Sequence, residues 1–258
     1  MELQDKIIVI TGAGSGIGRA LAVRFHAEGA KQIVCADINL ASAQQTADMI
    51  GGVAMIADVA KEEDTARIIE DTESNIGPID LFCCNAGVGL GHSIHSSNAE
   101  WQSIWDINVM SHVYAARHLV PRMAERGSGY FLNTSSAAGL LNQIGGAAYG
   151  VTKHAAVGFG EWLAIHHKHE GIGVSMLCPQ AVRTAMTAVE NDAVAAAANN
   201  GMIEPEELAG TVVEGLREES FLILPHPIVK EFMQNKINNY DRWIGGMNKL
   251  MRKITGNL

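Results

Sequence analysis

Thr11-Gly12-Ala13-Gly14-Ser15-Gly16-Ile17-Gly18 stands between a β-branched run, Lys6–Ile10, and a helical pattern, Ile17–Glu28. A glycine-rich turn placed between a strand and a helix is the local form that holds a dinucleotide. Gly12 permits the tight turn, Gly16 lets the backbone approach a pyrophosphate, and Gly18 lets helix and strand pack closely. Ser15 and Ile17 complete the same cradle. The helix start then offers unpaired N–H groups to phosphate oxygens.

Outward from this turn, short apolar runs alternate with longer helical patterns. Strands are predicted at 7–10, 32–36, 53–57, 79–84, 129–134, 173–178 and 221–224. Helices are predicted at 17–28, 40–50, 61–76, 99–126, 148–170 and 206–217, the fourth opened by a capping box, Ser97-Asn98-Ala99-Glu100. This alternation implies an α/β fold with a parallel sheet covered by helices on both faces. The long alanine-rich stretch 184–203 reads as a mobile flap after the sixth strand.

Asp37 closes the second strand, 19 residues beyond Gly18. A carboxylate there accepts both hydroxyls of an adenosine ribose and repels a 2′-phosphate. No Lys or Arg lies in Ala13–Ile17 or directly after Asp37. The expected cofactor is therefore NAD (NADH), with NADP disfavoured.

With 258 residues, 47% apolar and 18% charged, the chain can bury the core of a single domain. A net charge of −9 disfavours nucleic acid as a partner. The start of the chain is polar and acidic, unlike a signal peptide, and no apolar run approaches the ~20 residues of a membrane span. Cys35, Cys83, Cys84 and Cys178 lie in apolar, strand-like stretches without a CxxC pair. Reduced buried thiols in a cytoplasmic protein are expected.

Tyr149 and Lys153 lie four residues apart in a helical segment, on one face. An ammonium there favours the phenolate of a tyrosine whose ordinary pKa is about 10. Beside a nicotinamide, such a phenol can move the proton that interconverts an alcohol and a ketone.

These motifs together resemble the short-chain dehydrogenase/reductase family over nearly the whole chain, from Lys6 to about Leu224. Thr11-Gly12-x-x-x-Gly16-x-Gly18 is similar to its cofactor motif, and Asp58-Val59 to its adenine-contacting pair. Asn85-Ala86-Gly87 is similar to the motif that steadies the central sheet. Asn108, Ser136, Tyr149 and Lys153 match its catalytic tetrad in identity, order and spacing. The resemblance implies a Rossmann-type, doubly wound, seven-stranded sheet. It implies a dimer or tetramer built on the helices carrying Asn108 and Tyr149. It also implies roles: Tyr149 as acid/base, Lys153 holding the nicotinamide ribose, Ser136 bonding the substrate oxygen, with Ser135 as fallback. Asn108 would hold a water at a local break in its helix. Val182 and Thr184 match positions that contact the carboxamide. Where the family has Pro-Gly after the sixth strand this chain has Pro179-Gln180, which places a bulky amide by the nicotinamide.

Candidate substrate residues are Val88, Gly89, Leu90, His92, Ala138, Gln143, Ile144 and Gln180, with the flap around Met186 and Met202. Mostly apolar, they suggest a neutral, moderately hydrophobic secondary alcohol or ketone: cyclic, aromatic or steroid-like. Reduction of a β-ketoacyl thioester is the enzymatic rival. A dinucleotide-sensing protein without catalysis is the rival of another class. His166-His167-Lys168-His169 reads as a polar helix end, and no metal is expected. Residues 1–225 form the catalytic domain of this reading; 226–258 form a tail with six Lys and Arg against two acids. Its apolar residues recur at helical spacing. They suggest packing on the domain or a neighbouring subunit, then a cover over a hydrophobic substrate, then weak attachment to a membrane surface.

Overall fold

A computed structural model of the chain describes residues 1–89, 93–188, 191–199 and 201–256. Seven strands form one parallel sheet: β1 (Ile7–Thr11), β2 (Gln32–Asp37), β3 (Val53–Ile56), β4 (Leu81–Cys84), β5 (Gly129–Thr134), β6 (Ile172–Leu177) and β7 (Leu222–Ile223). Their spatial order is β3-β2-β1-β4-β5-β6-β7. Between them run α1 (Gly16–Ala27), α2 (Leu40–Ile50), α3 (Glu62–Asn75), α4 (Asn98–Trp105), α5 (Ser111–Arg126), α6 (Ala138–Leu141), α7 (Ala147–His167), α8 (Asp192–Ala198) and α9 (Pro205–Arg217). Two helices follow the sheet, α10 (Ile228–Asn238) and α11 (Tyr240–Ile254).

Every residue of β1 is buried, because helices cover both faces and successive side chains point to opposite sides. Ile8 and Ile10 join Leu21 and Phe25 of α1 and Leu208, Val212 and Leu216 of α9 in one core layer. Val9 joins Ile68 and Ile69 of α3, Leu119 and Met123 of α5 and Leu163 of α7 in the other. The strand order reverses at β1: β2 and β3 follow on one side of it, and the chain then returns to place β4 on the other, paired at Ile8↔Leu81, so the switch point lies between β1 and β4. Such a switch point leaves a crevice at the carboxyl ends of the strands.

The helix expected over 99–126 is interrupted, at the local break the resemblance implied for Asn108, by a π-helical turn, Asp106–Met110, which separates α4 from α5. The extra residue in that turn carries Asn108 inward, fully buried. The stretch 184–203 contains, among its described residues, a 3-10 turn, Ala185–Thr187, and α8. Both ends are pinned, since Arg183 N donates to Ile203 O at 3.0 Å and Ile203 N to Ala181 O at 3.3 Å. Alanine's high helix propensity accounts for α8. The capping box at Ser97 is formed, with both reciprocal hydrogen bonds.

Candidate active site

The turn after β1 and the start of α1 floor a cleft of about 370 Å³ at the switch point. Gly12, Ser15, Gly16, Ile17, Gly18, Asp37, Asp58 and Val59 line it, with Asn85, Ala86, Gly87, Tyr149, Lys153, Pro179, Val182 and Thr184. Sequence reasoning missed Ile38 and Ile107, which also line it. No side chain caps α1, so its first N–H groups are left for a ligand. Gly16 has φ +51°, and a Cβ there would sit 3.1 Å from Thr184 Cγ2. A side chain would narrow the space that a diphosphate needs. Asp37 accepts from Gly14 N and Asn39 N, both at 2.9 Å. Its carboxylate keeps further lone pairs for ribose hydroxyls. The cleft thus fits a nicotinamide dinucleotide by shape and by its donors and acceptors.

Asn85 braces the neighbouring strands. Its Nδ2 donates to Thr11 O at 3.0 Å and its Oδ1 accepts from Thr134 Oγ1 at 3.3 Å. Thr11 Oγ1 accepts from the backbone of Asn85 and Ala86 at 3.0 and 3.1 Å. The loop after β4 is thereby tied to β1 and β5. Gly87 leaves room for the groups beyond it: a Cβ there would lie 3.3 Å from both Lys153 Nζ and Asn108 Oδ1.

Asn108 uses its whole amide. Oδ1 accepts from Val88 N at 3.0 Å, and Nδ2 donates to Val88 O at 3.0 Å and Thr152 Oγ1 at 3.3 Å. It clamps the loop after β4 to α7, a tie that spacing along the chain did not disclose.

Lys153 is buried and its Nζ donates to Thr134 O at 3.1 Å. The amine lies 5.7 Å from the centre of the Tyr149 ring. Burial pulls the lysine down to about 8. The phenol does not follow the expected direction here. Burial holds Tyr149 above its ordinary value, with the Ser136 hydrogen bond acting in the opposite sense. Desolvating a phenolate costs more than that one hydrogen bond returns. The two candidate serines are also distinguished. Ser135 Oγ donates to Lys153 O at 2.9 Å and is spent on the backbone of α7. Ser136 is the serine beside the phenol.

A second cavity, about 550 Å³, meets the cleft at Ser136, Tyr149, Gln180, Met186 and Thr187. Gly89, Ala138, Gln143 and Ile144 line it as expected, and Val88 lines the cleft instead. Met202 lines neither. Leu90 and His92 lie outside the described residues. The far wall comes from Val194 of α8, Phe232 of α10, and Trp243, Met247 and Leu250 of α11. The helical spacing of the last three was the available signal; where they packed was not. Gln180 lines both the cleft and the cavity; its backbone N donates to buried His226 Nδ1 at 3.1 Å, and its Oε1 is buried without a hydrogen-bond partner among the described residues. Arg183 turns outward to Glu204 at 2.7 Å. His166 stacks on Trp162, while His167 and His169 both approach Glu170, at 2.6 and 4.0 Å.

Below Lys153, His112 is wholly buried and, by desolvation and the nearby ammonium, pulled down to about 3. It is neutral in the fold and takes a proton below about 6.5 when unfolded. Stability therefore falls as pH drops from about 6.5 toward 3, by at most about 1.4 kcal/mol per pH unit. Buried His226, also lowered, acts in the same sense. Melting temperature measured against pH should show this decline, and His112→Met should make it shallower. An unchanged slope in the variant would exclude His112 as its source.

The family described as short chain dehydrogenase matches residues 6–195. A 1-deoxy-11-beta-hydroxypentalenate dehydrogenase of Streptomyces exfoliatus is 33% identical over 232 residues, 86% of this chain and 84% of its own. An uncharacterised oxidoreductase of Staphylococcus aureus is 32% identical over 220 residues, 84% and 93% of the two chains. Among solved structures, a short chain dehydrogenase/reductase of Burkholderia phymatum in complex with NAD superimposes with a TM-score of 0.83. It is 27% identical, and the match covers 92% of this chain and 96% of that one.

Proposed function

The chain belongs to the short-chain dehydrogenase family of oxidoreductases, and from that premise we propose that it interconverts a neutral, moderately hydrophobic secondary alcohol and its ketone with NAD(H). The observation that carries this reading is the placement of Tyr149 and Ser136 where the dinucleotide cleft meets an apolar cavity. A nicotinamide held by the residues lining the cleft would supply or accept the hydride and, in its oxidised form, would add positive charge to the site. Tyr149 gives its proton to the ketone oxygen in reduction and takes it from the hydroxyl in oxidation. Ser136 holds that oxygen by a hydrogen bond. Lys153 lies on the cleft side, where it holds the ribose and favours the phenolate. Asn108 positions Lys153 and the loop after β4 through its clamp on Val88 and Thr152.

The cavity volume suits a compact cyclic or aromatic molecule, and its apolar walls disfavour charge. The Streptomyces relative is named as a dehydrogenase of a hydroxylated compound. Asn142, Gln143 and Gln180 are the side-chain amides available to orient such a substrate. A dimer or tetramer built on α5 and α7 agrees with the exposed Trp162 and Ile165 on α7.

Asp37 in the cleft supports NAD. Arg19, the nearest arginine to the turn, is directed at Gly14 O and Thr46 instead of the cleft. Asp37→Asn keeps an acceptor and removes the charge. It should shift the ratio of kcat/KM for NAD over NADP by roughly 10–100-fold toward NADP, the range of a charged hydrogen bond. An unchanged ratio would remove Asp37 as the selector. The reading as a whole is tested by a panel of secondary alcohols with either cofactor, followed by absorbance of the reduced nicotinamide. Dinucleotide binding with no turnover of any alcohol or ketone would favour the non-catalytic sensor.

A further inference from the structure

The tail differs from the rest of the molecule in charge and in exposure. Residues 226–258 carry six Lys and Arg against two acids, net +4, whereas residues 1–225 carry 13 against 26, net −13. In α11 the apolar residues fall on one arc. Trp243, Met247 and Leu250 on one side of it line the cavity, and Tyr240 and Ile244 on the other face outward. Ile237, at the end of α10 beside the turn, extends that outward strip. Ile237, Tyr240 and Ile244 are 75%, 56% and 57% exposed. The opposite arc carries Arg242, Lys249 and Lys253, and among the described residues none of these three forms an ion pair. No residue of α11 is fully buried.

A helix with a strongly basic polar arc and aromatic and aliphatic side chains opposite is the form that lies in a membrane interface. We propose that the corner of the α10–α11 hairpin docks on an anionic lipid surface. Ile237, Tyr240 and Ile244 enter the headgroup boundary, while Arg242, Lys249 and Lys253, on the far arc about one helix diameter from the surface, attract the anionic leaflet across a distance comparable to the Debye length. Charge favours lipid over a second copy of the chain: a twofold contact through the strip would bring two net-positive tails together, which repel. The docked corner adjoins the far wall of the apolar cavity. The orientation thus brings the cavity proposed for a hydrophobic substrate near the bilayer, and this clause alone rests on the redox reading.

Sedimentation of the full chain with vesicles tests the proposal by binding alone, independent of turnover. Vesicles of phosphatidylcholine with phosphatidylserine should carry the protein down; phosphatidylcholine alone should not, and added salt should release it. Charge reversal by Arg242→Glu, Lys249→Glu and Lys253→Glu should weaken partitioning by on the order of fivefold per residue. Ile237→Ser with Ile244→Ser should also abolish sedimentation. Both variants should bind dinucleotide as the parent does, which reports an intact fold. Absence of sedimentation with anionic vesicles, or equal binding to neutral ones, overturns the proposal. So does a serine variant that lowers the oligomeric mass by light scattering and leaves vesicle binding unchanged, since the strip then joins two copies of the chain.

Discussion

The Tyr149→Phe variant is expected to lose roughly 10²–10⁴-fold in kcat while binding the dinucleotide as the parent does. Phenylalanine keeps the ring that separates cleft from cavity, so shape and packing persist. Only the hydroxyl beside Ser136 is removed. Because the variant retains binding, a fall in kcat reports the proton transfer and not a damaged pocket. In the parent, alcohol oxidation should accelerate with pH and level off as the phenol ionises. Burial raises that phenol, so the plateau depends on neighbouring positive charge. Lys153→Met should therefore move the plateau to higher pH as well as slow the reaction. A Tyr149→Phe enzyme within tenfold of the parent, or an oxidation rate flat from mildly acidic to alkaline pH, would dismiss Tyr149 as acid/base.

The second large effect is expected at Gly18. A Cβ there would collide with the carbonyl of Gly12 and lie 2.7 Å from Asn85 Nδ2. Gly12 O belongs to the turn, and Asn85 is already bonded to Thr11 and Thr134, so neither can yield cheaply. Gly18→Ala should cost about 1–3 kcal/mol of overpacking, a drop of roughly 2–12 °C in melting temperature for a chain of this size. Spreading the turn also moves the N–H groups that face the diphosphate. Dinucleotide affinity should therefore fall at least about tenfold. Calorimetry and dinucleotide titration measure the two losses separately. Parental values in both would mean that the turn is more compliant than its packing indicates. The same substitution at Gly51, where the added Cβ meets nothing, strains only its left-handed backbone.

Much of this architecture is legible along the chain because its causes are local. A strand buried on both faces is apolar throughout, and an amphipathic helix repeats at its own period. The glycine turn is recognisable because each glycine answers to a contact a few residues away or to the helix it opens. Asp37 sits at a strand end, a fixed distance beyond that turn. Tyr149 and Lys153 are placed on one helix face by spacing alone. Asn108 was marked by its type and its match to a family position. Its clamp spans 20 residues to Val88 and 44 to Thr152, and no local pattern encodes it. Ser136 was preferred to Ser135 by its match to a family position. That Ser135 is held by Lys153 O follows only from the seating of the loop after β5 against α7.

The sequence by itself determined the sheet, the glycine turn after its first strand and the placing of Tyr149 and Lys153 on one helix face, because periodicity and short spacings carry that information. Tertiary structure alone decided the far wall of the apolar cavity and the direction in which burial moves the phenol. The cavity walls come from Gly89, from 136–149, from 180–187, from 191–199 and from 232–250, segments that meet only when the tail folds back over α6 and α8. A phenol's acidity depends on the water removed around it and on charges brought near, and both are properties of the packed molecule.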